Sequence, residues 1–123
     1  MSDKQNAERS QEAQAAGSEL KATVSRLSRA AQDVLAERQR QVEQEGWTPG
    51  HDDQHDNGEL AAAAACYARE SRLIEPLEQK RKWNPPMIWP WAREWWKPSD
   101  RRRMLVKAGA LILAEIERLD RRG

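Results

Sequence analysis

The sequence predicts an all-α protein, a small helical domain with a long helix at its N-terminus. Two stretches, at about 18–45 and 100–121, consist mainly of strong helix formers and contain no proline. An alanine-rich stretch lies between them, and no segment shows the convincing alternation of a β-strand. With 123 residues, the chain has room for one compact domain and an appendage.

The first long helix carries an apolar stripe with coiled-coil spacing. Its start can be capped by Ser18. The stripe consists of Leu20, Val24, Leu27, Ala31 and Val34. Such a seam either drives self-association or docking, or packs on its own domain. Residues 1–18 are small or polar after Met1, which predicts a disordered tail, and residues 19–45 are predicted to form a helical extension.

The compact helical domain is predicted over residues 46–123. Gly46 should end the long helix, because glycine adopts the left-handed conformation and the nearby Pro49 cannot continue a helix. An acidic loop with turn residues on both sides then leads to an alanine-rich helix from Glu59 to about Leu73. Pro76 is expected to end or kink that helix.

Residues 83–98 read WNPPMIWPWAREWWKP and do not suit a regular helix or a central strand. Because the chain has no Phe, these tryptophans are expected to form its core. The last helix should run from Asp100 to about Arg121, with an apolar sector wide enough for burial on more than one side. That sector comprises Met104, Leu105, Val106, Ala108, Leu111, Ile112, Leu113, Ile116 and Leu119 around Glu115.

The distribution of charge restricts the possible partners. A net charge of +1 argues against bulk nucleic-acid binding. Residues 46–60 are acidic and residues 80–103 are basic, so these two segments are expected to pair. The single Cys66 cannot form an internal disulfide, and no apolar run suggests a membrane span or a signal peptide. We therefore expect a cytoplasmic protein without a membrane partner.

The acidic loop offers several potential metal ligands, namely His51, Asp52, Asp53, His55 and Asp56. Imidazole and carboxylate groups suit zinc, manganese or iron. A metal-dependent hydrolase using His51, Asp53 and His55 is one hypothesis. Solvated or capping side chains are the alternative, because loop spacing fixes no ligand geometry. The chain has no nucleophile motif and no phosphate loop, so we predict neither catalytic residues nor a cofactor.

A second constellation consists of Trp95, Trp96, Lys97 and the Arg101–Arg103 run. Aromatic faces can stack on bases, and cations at a helix N-terminus can hold phosphate. The alternative is that both tryptophans belong to the core and that the arginines form a solvated first turn.

Most of the chain resembles small accessory proteins from the early regions of tailed bacteriophages and prophages. The motifs are ERQRQ, GWTP, HDD, His55 and GELAAAAACYA, followed by WPW, WWKP and DRRRMLVKAGALILAEIERLDR. The resemblance covers residues 36–122. It implies a phage accessory protein that acts inside a bacterial host cell.

A more distant similarity is to the ryanodine-receptor repeat domain. The matching positions are Gly46, Trp47, Thr48, Asp52, Asp53 and Leu60. The chain departs from that family at Pro49, where a tyrosine is usual, and has alanines in place of a Leu-Val-Pro-Tyr segment. Bacterial domains of this type are thought to bind nucleotide-derived signals.

These observations lead to two hypotheses about function. The first is a non-enzymatic protein that binds a small anionic, nucleotide-like ligand and so sequesters a host defence signal. Its expected ligand-binding residues are Trp47, His51, Asp52, Asp53, His55, Tyr67, Trp95, Trp96, Lys97 and Arg101. The second is a homo-oligomeric interaction protein that inhibits or recruits a host or phage protein. The first requires the loop after Gly46 and the tryptophan segment to enclose a recess.

Overall fold

The structure is a computed structural model that describes residues 2–72 and 84–122. Its five α-helices are α1 (Ser2–Ser25), α2 (Arg29–Gln44), α3 (Pro49–Asp52), α4 (Glu59–Ser71) and α5 (Arg101–Arg122). A 3-10 helix covers Arg93–Trp95, and the described residues contain no strand. The predicted all-α class is confirmed. The expectations for Leu73, Pro76, Lys80 to Lys82 and Trp83 fall outside the described residues.

The chain divides into two compact units, Met1–Gln32 and Asp33–Gly123. The sequence predicts this boundary after Glu45, whereas the structure has it within α2. The physical reason is that the second half of α2 is buried in the second unit, through Glu37, Arg38 and Gln41. In the part of the chain that the structure describes, no helix combines the length and apolarity needed to cross a membrane.

The single helix predicted over 18–45 is two helices. The break follows Ser25, and the Ser28 hydroxyl accepts a hydrogen bond from the Ala31 N–H (3.1 Å), as an N-cap does. Because the heptad stripe crosses this break, it is not one continuous seam. Residues 2–18, predicted as a disordered tail, are helical here, since their Ala, Gln, Glu and Lys residues favour helix.

The core of the second unit lies between α4 and α5, which pack more extensively than any other pair of helices. Small side chains on both helices permit this close approach, among them Ala63 and Ala64 on α4 and Ala108 and Ala114 on α5. The larger members of the core are Leu60, Tyr67, Trp96, Met104 and Leu111. The alanine-rich sequence of α4 therefore serves helix packing.

The tryptophan segment is irregular, as predicted, and contributes to the core only in part. Trp96 is buried, Trp89 and Trp91 pack against the core while partly exposed, and Trp95 is 46% exposed. The prediction of a core position is confirmed for Trp96 and wrong for Trp95. The 3-10 turn at Arg93–Trp95 explains the difference, because it turns these two neighbouring rings to different sides.

Helix α5 is buried over a broad sector. Met104, Ala108 and Leu111 belong to the core shared with α4, and Val106 and Ala110 are buried as well. Gly109 packs closely against the Val34 side chain of α2. Burial on more than one side is therefore confirmed for the helix, but about half of each side chain in one apolar row is exposed, in Leu105, Ile112, Ile116 and Leu119.

The predicted pairing between the acidic loop and the basic segment is not found among the described residues of the two segments. Asp53 of the loop instead contacts Arg121 near the end of α5, at 2.7 Å, and Asp52 contacts Arg38 of α2 at 2.8 Å. In the basic segment, Arg102 binds Asp33 of α2 at 2.7 Å, and Arg103 binds Glu37. The loop packs against α5 through α3, beside the end of that helix that carries Arg121.

Glu37 is the centre of a buried ionic network. Its carboxylate accepts hydrogen bonds from Arg40 at 2.8 and 2.9 Å, from Gln41 at 3.2 Å, and from Arg103. Burial alone would raise the pKa of Glu37, but the hydrogen bonds and positive charges of these partners outweigh burial and lower it. The network therefore favours the ionised carboxylate in the folded protein.

We predict that Glu37 makes the protein sensitive to acid. Because the folded state lowers its pKa, its contribution to stability is complete above the unfolded value of about 4.3 and is lost as the pH falls through the lower folded value. Glu37→Gln should reduce the free energy of unfolding at pH 7 by about 2–3 kcal/mol. Urea unfolding from pH 7 to pH 3 should show a shallower acid dependence in the variant. An equal dependence in both proteins would contradict this role.

Candidate functional site

The loop that follows α2 begins with a turn that requires glycine. Gly46 has a φ of 74°, and the Trp47 N–H donates to the Gln41 carbonyl at 3.0 Å. The predicted end of the helix at Gly46 is confirmed. This turn reverses the chain direction and leaves Trp47 packed against the core.

The next residues form one helical turn where the sequence predicts a loop. The Thr48 hydroxyl accepts from the His51 N–H at 3.3 Å, and Pro49 occupies the first turn, where its missing N–H costs nothing. The turn after α3, in which the His55 N–H donates to the Asp52 carbonyl at 3.0 Å, brings the rings of His51 and His55 edge to face, with centroids 4.9 Å apart. The two histidine rings therefore lie next to each other, which their spacing in a loop did not predict.

Asp52 stabilises this helical turn. Its side chain is fully buried, and its Oδ2 accepts from Arg38 Nη2 at 2.8 Å. Arg38 also donates to the Trp47 carbonyl (3.3 Å) and to Glu117 of α5 (2.9 Å). Burial raises the pKa of Asp52, against the lowering effect of Arg38. Asp52 is therefore a structural residue, and its predicted place in a ligand site is wrong.

A pocket of about 330 Å³ opens between the loop and the tryptophan segment. Among the described residues, those that line it are Glu45, Trp47, His51, His55, Trp91, Ala92 and Trp95. The Trp91 ring lies 5.8 Å from that of Trp47 and 5.4 Å from that of His55, between centroids. The rings of Trp47 and His51 are parallel within 4°. Aromatic rings belong to five of the seven described residues that line the pocket.

The polar groups of the pocket are few. Glu45 is the one carboxylate in the lining, and its Oε1 accepts from Arg40 Nη1 at 3.0 Å. His55 Nδ1 lies 3.1 Å from Glu59 Oε2, which fixes the orientation of that ring. Two buried ring nitrogens, His51 Nδ1 and Trp91 Nε1, have no hydrogen-bond partner among the residues that the structure describes.

The rim of the pocket is more polar than its interior. Trp95 is half exposed there, and Lys97 Nζ lies 5.7 Å from the centroid of the Trp95 ring. A cavity of about 30 Å³, large enough for a water molecule, adjoins the pocket at Trp47 and Trp95. Lys107 enters that cavity and donates to the Lys97 carbonyl at 2.7 Å, and burial lowers the pKa of Lys107.

Four of the expected ligand-binding residues lie elsewhere, in addition to Asp52. The rings of Tyr67 and Trp96 stack at 4.7 Å inside the core, and the Tyr67 hydroxyl accepts from the Lys97 N–H at 3.2 Å. Asp53 binds Arg121, and Arg101 is an exposed residue of the first turn of α5 that does not line the pocket. The structure thus brings together Trp47, His51, His55 and Trp95, with Lys97 at the rim.

The proposed metal ligands do not converge. No group of three or more His, Cys, Asp or Glu residues in the described chain could hold a metal ion, and Asp53 is paired with Arg121. Cys66 is buried in the core, and burial raises the pKa of its thiol, so it is unsuited to act as a nucleophile. The structure gives the metal-dependent hydrolase hypothesis no support.

Sequence reasoning missed three residues of the lining, which are Glu45, Trp91 and Ala92. Glu45 belongs to a highly charged stretch, and the sequence gives no reason to distinguish it from the other carboxylates there. Trp91 is one of several equivalent tryptophans, and only its contact with Trp47 and His55 distinguishes it. The sequence offered one signal for Glu45. It adjoins the predicted turn at Gly46, which indicates that it lies near Trp47 on the other side of that turn.

No family model, curated protein or solved structure matches this chain. The resemblances to phage accessory proteins and to the ryanodine-receptor repeat domain therefore remain predictions.

We predict that the turn at Gly46 tolerates no side chain. Gly46→Ala should lower the free energy of unfolding by about 1–2 kcal/mol, because a Cβ is strained at a φ of 74°. Gly50→Ala is the matched control, since its Cβ would meet only Thr48 Oγ1 at 4.0 Å and its φ is ordinary. Urea unfolding measures both. Equal stability of the two variants would show that the turn is not strained.

Proposed function

We propose that this protein is a non-enzymatic binding protein that holds a small nucleotide-like ligand in the aromatic pocket. The observation that carries the proposal is a wall of three indole and two imidazole rings around about 330 Å³. That volume lies within the range of small-molecule sites. Aromatic faces bind nucleobases by stacking, which suits any flat ring.

The charges of the site suggest how such a ligand would lie. The lining contains no Lys or Arg among the described residues, so a phosphate gains nothing by entering the pocket. Lys97 stands beside Trp95 at the rim, where a phosphate attached to a stacked ring would remain in water. The base would therefore occupy the pocket, and the anionic part of the ligand would lie outside it near Lys97.

The same lining favours binding over chemistry. Among the described residues, it offers two imidazoles and a carboxylate, but no Ser, Thr, Cys or Lys that could attack a substrate. The resemblance to phage accessory proteins implies that such binding would take place inside a bacterial host cell. A protein that binds a nucleotide-derived signal tightly and does not release it would sequester that signal from the host's defence.

We predict that Trp95 supplies much of the affinity. Calorimetric titration with mononucleotides, cyclic dinucleotides and ADP-ribose derivatives should identify a ligand, with quenching of tryptophan fluorescence. Trp95→Ala should then raise Kd by about 10- to 100-fold, since stacking on one base contributes about 1–3 kcal/mol. Met87→Ala is the control, because Met87 is fully exposed in the same segment and does not line the pocket.

Two results would contradict the proposal. One is the absence of both heat and quenching across the whole panel. The other is a ligand that binds Trp95→Ala as tightly as the original protein.

A second candidate function is self-association through α5. Its exposed row of Leu105, Ile112, Ile116 and Leu119 has intervals of seven, four and three residues, which is a coiled-coil spacing. An apolar row of this kind on one helix can pack against the same row of a second copy across a two-fold axis. This observation favours the homo-oligomer that the sequence also predicts.

We predict that Ile112→Glu prevents self-association. Sedimentation velocity over a range of concentrations should show a dimer for the original chain and a monomer for this variant. Ile88→Glu is the control, because Ile88 is also exposed but lies outside α5. A monomeric original chain at every concentration would eliminate this candidate.

A further inference from the structure

The electrostatics of the pocket favour a positive charge on the bound ring, which stacking alone does not require. Glu45 is its single side chain with a fixed charge among the described lining residues. Arg40 binds Oε1 of Glu45, but the same guanidinium also makes two hydrogen bonds to Glu37. Arg40 thus contacts both carboxylates while Arg103 binds Glu37 as well, and neither arginine lines the pocket.

The rings add to this preference. The face of an aromatic ring is electrostatically negative, and tryptophan attracts cations more strongly than the other aromatic residues do. Trp47, Trp91 and Trp95 all contribute to the wall. Their faces, together with the carboxylate of Glu45, make the interior favourable for positive charge. Partial exclusion of water strengthens such an interaction.

We infer that the ring of the bound ligand carries a fixed positive charge, as an N-alkylated purine or a pyridinium does. The inference rests on the proposed function, because it names the class of nucleotide that the same pocket takes. A ring is favoured over a small alkylammonium group, because about 330 Å³ exceeds the space that such a group fills and the walls are flat. The cationic ring lies among the indoles, and its phosphate lies at the rim near Lys97.

Matched pairs of nucleotides test the charge directly. Nicotinamide mononucleotide has a pyridinium ring, and its reduced form has a neutral ring of nearly the same shape. The monophosphates of 7-methylguanosine and guanosine form a second pair. In each pair, the charged member should bind about tenfold more tightly in calorimetric titrations.

Glu45→Gln separates the role of the carboxylate from that of the rings. The substitution removes the charge and keeps the shape, so it should weaken binding of the charged member about tenfold more than binding of the neutral member. Glu43→Gln is the matched control, because Glu43 is exposed on the same helix, binds Gln39 and does not line the pocket. Thermal unfolding of both variants confirms that each is folded.

The outcomes distinguish this inference from the proposed function. Equal affinity for both members of each pair would overturn the inference and leave a nucleotide site intact. No binding of any member, together with no binding in the wider nucleotide panel, would overturn the proposed function and this inference with it. A charge preference that Glu45→Gln does not reduce would overturn the role of Glu45.

Discussion

The close approach of α4 and α5 is the constraint on which the rest of the second unit depends. Alanines on both helices make a thin interface, which leaves the large rings to its edges. The aromatic side chains therefore stack beside it, starting with Trp96 on Tyr67. From Trp96 the ring contacts continue through Trp89 and Trp91 to Trp47, with centroids 5.1 to 5.8 Å apart. The pocket lies where this series of rings reaches the surface.

Charged side chains contribute to holding α2 in register with this core, beside the contact of Val34 with Gly109. Glu37 contacts the start of α5 through Arg103, while Arg38 contacts Asp52 in the loop and Glu117 farther along α5. Buried ion pairs contribute little net stability, because desolvation offsets their attraction, but they restrict orientation. Because Glu45 and the Gly46 turn directly follow α2, this network also determines the position of the pocket wall.

The pocket combines exposed aromatic surface with polar groups that lack hydrogen bonds. Trp95 stays half exposed, and neither His51 Nδ1, which lies 3.7 Å from Asp52 Oδ1, nor Trp91 Nε1 has a hydrogen-bond partner among the described residues. Buried polar groups without hydrogen bonds reduce stability. Some of them lie outside the pocket, such as Glu70 Oε2, but in the pocket they adjoin exposed rings that a ligand could cover.

The sequence by itself determined the helical class, the turn at Gly46, the start of α4 and the irregular tryptophan segment, because backbone propensity and turn chemistry are local. It could not distinguish Trp95 from Trp96, or Asp52 from an exposed ligand, since neighbouring identical residues have the same local preferences. Only the tertiary structure determines which of the two rings is exposed to solvent and which carboxylate binds Arg38. Contacts between distant parts of the chain, such as Trp47 with Trp91, create the pocket, and no local pattern records them.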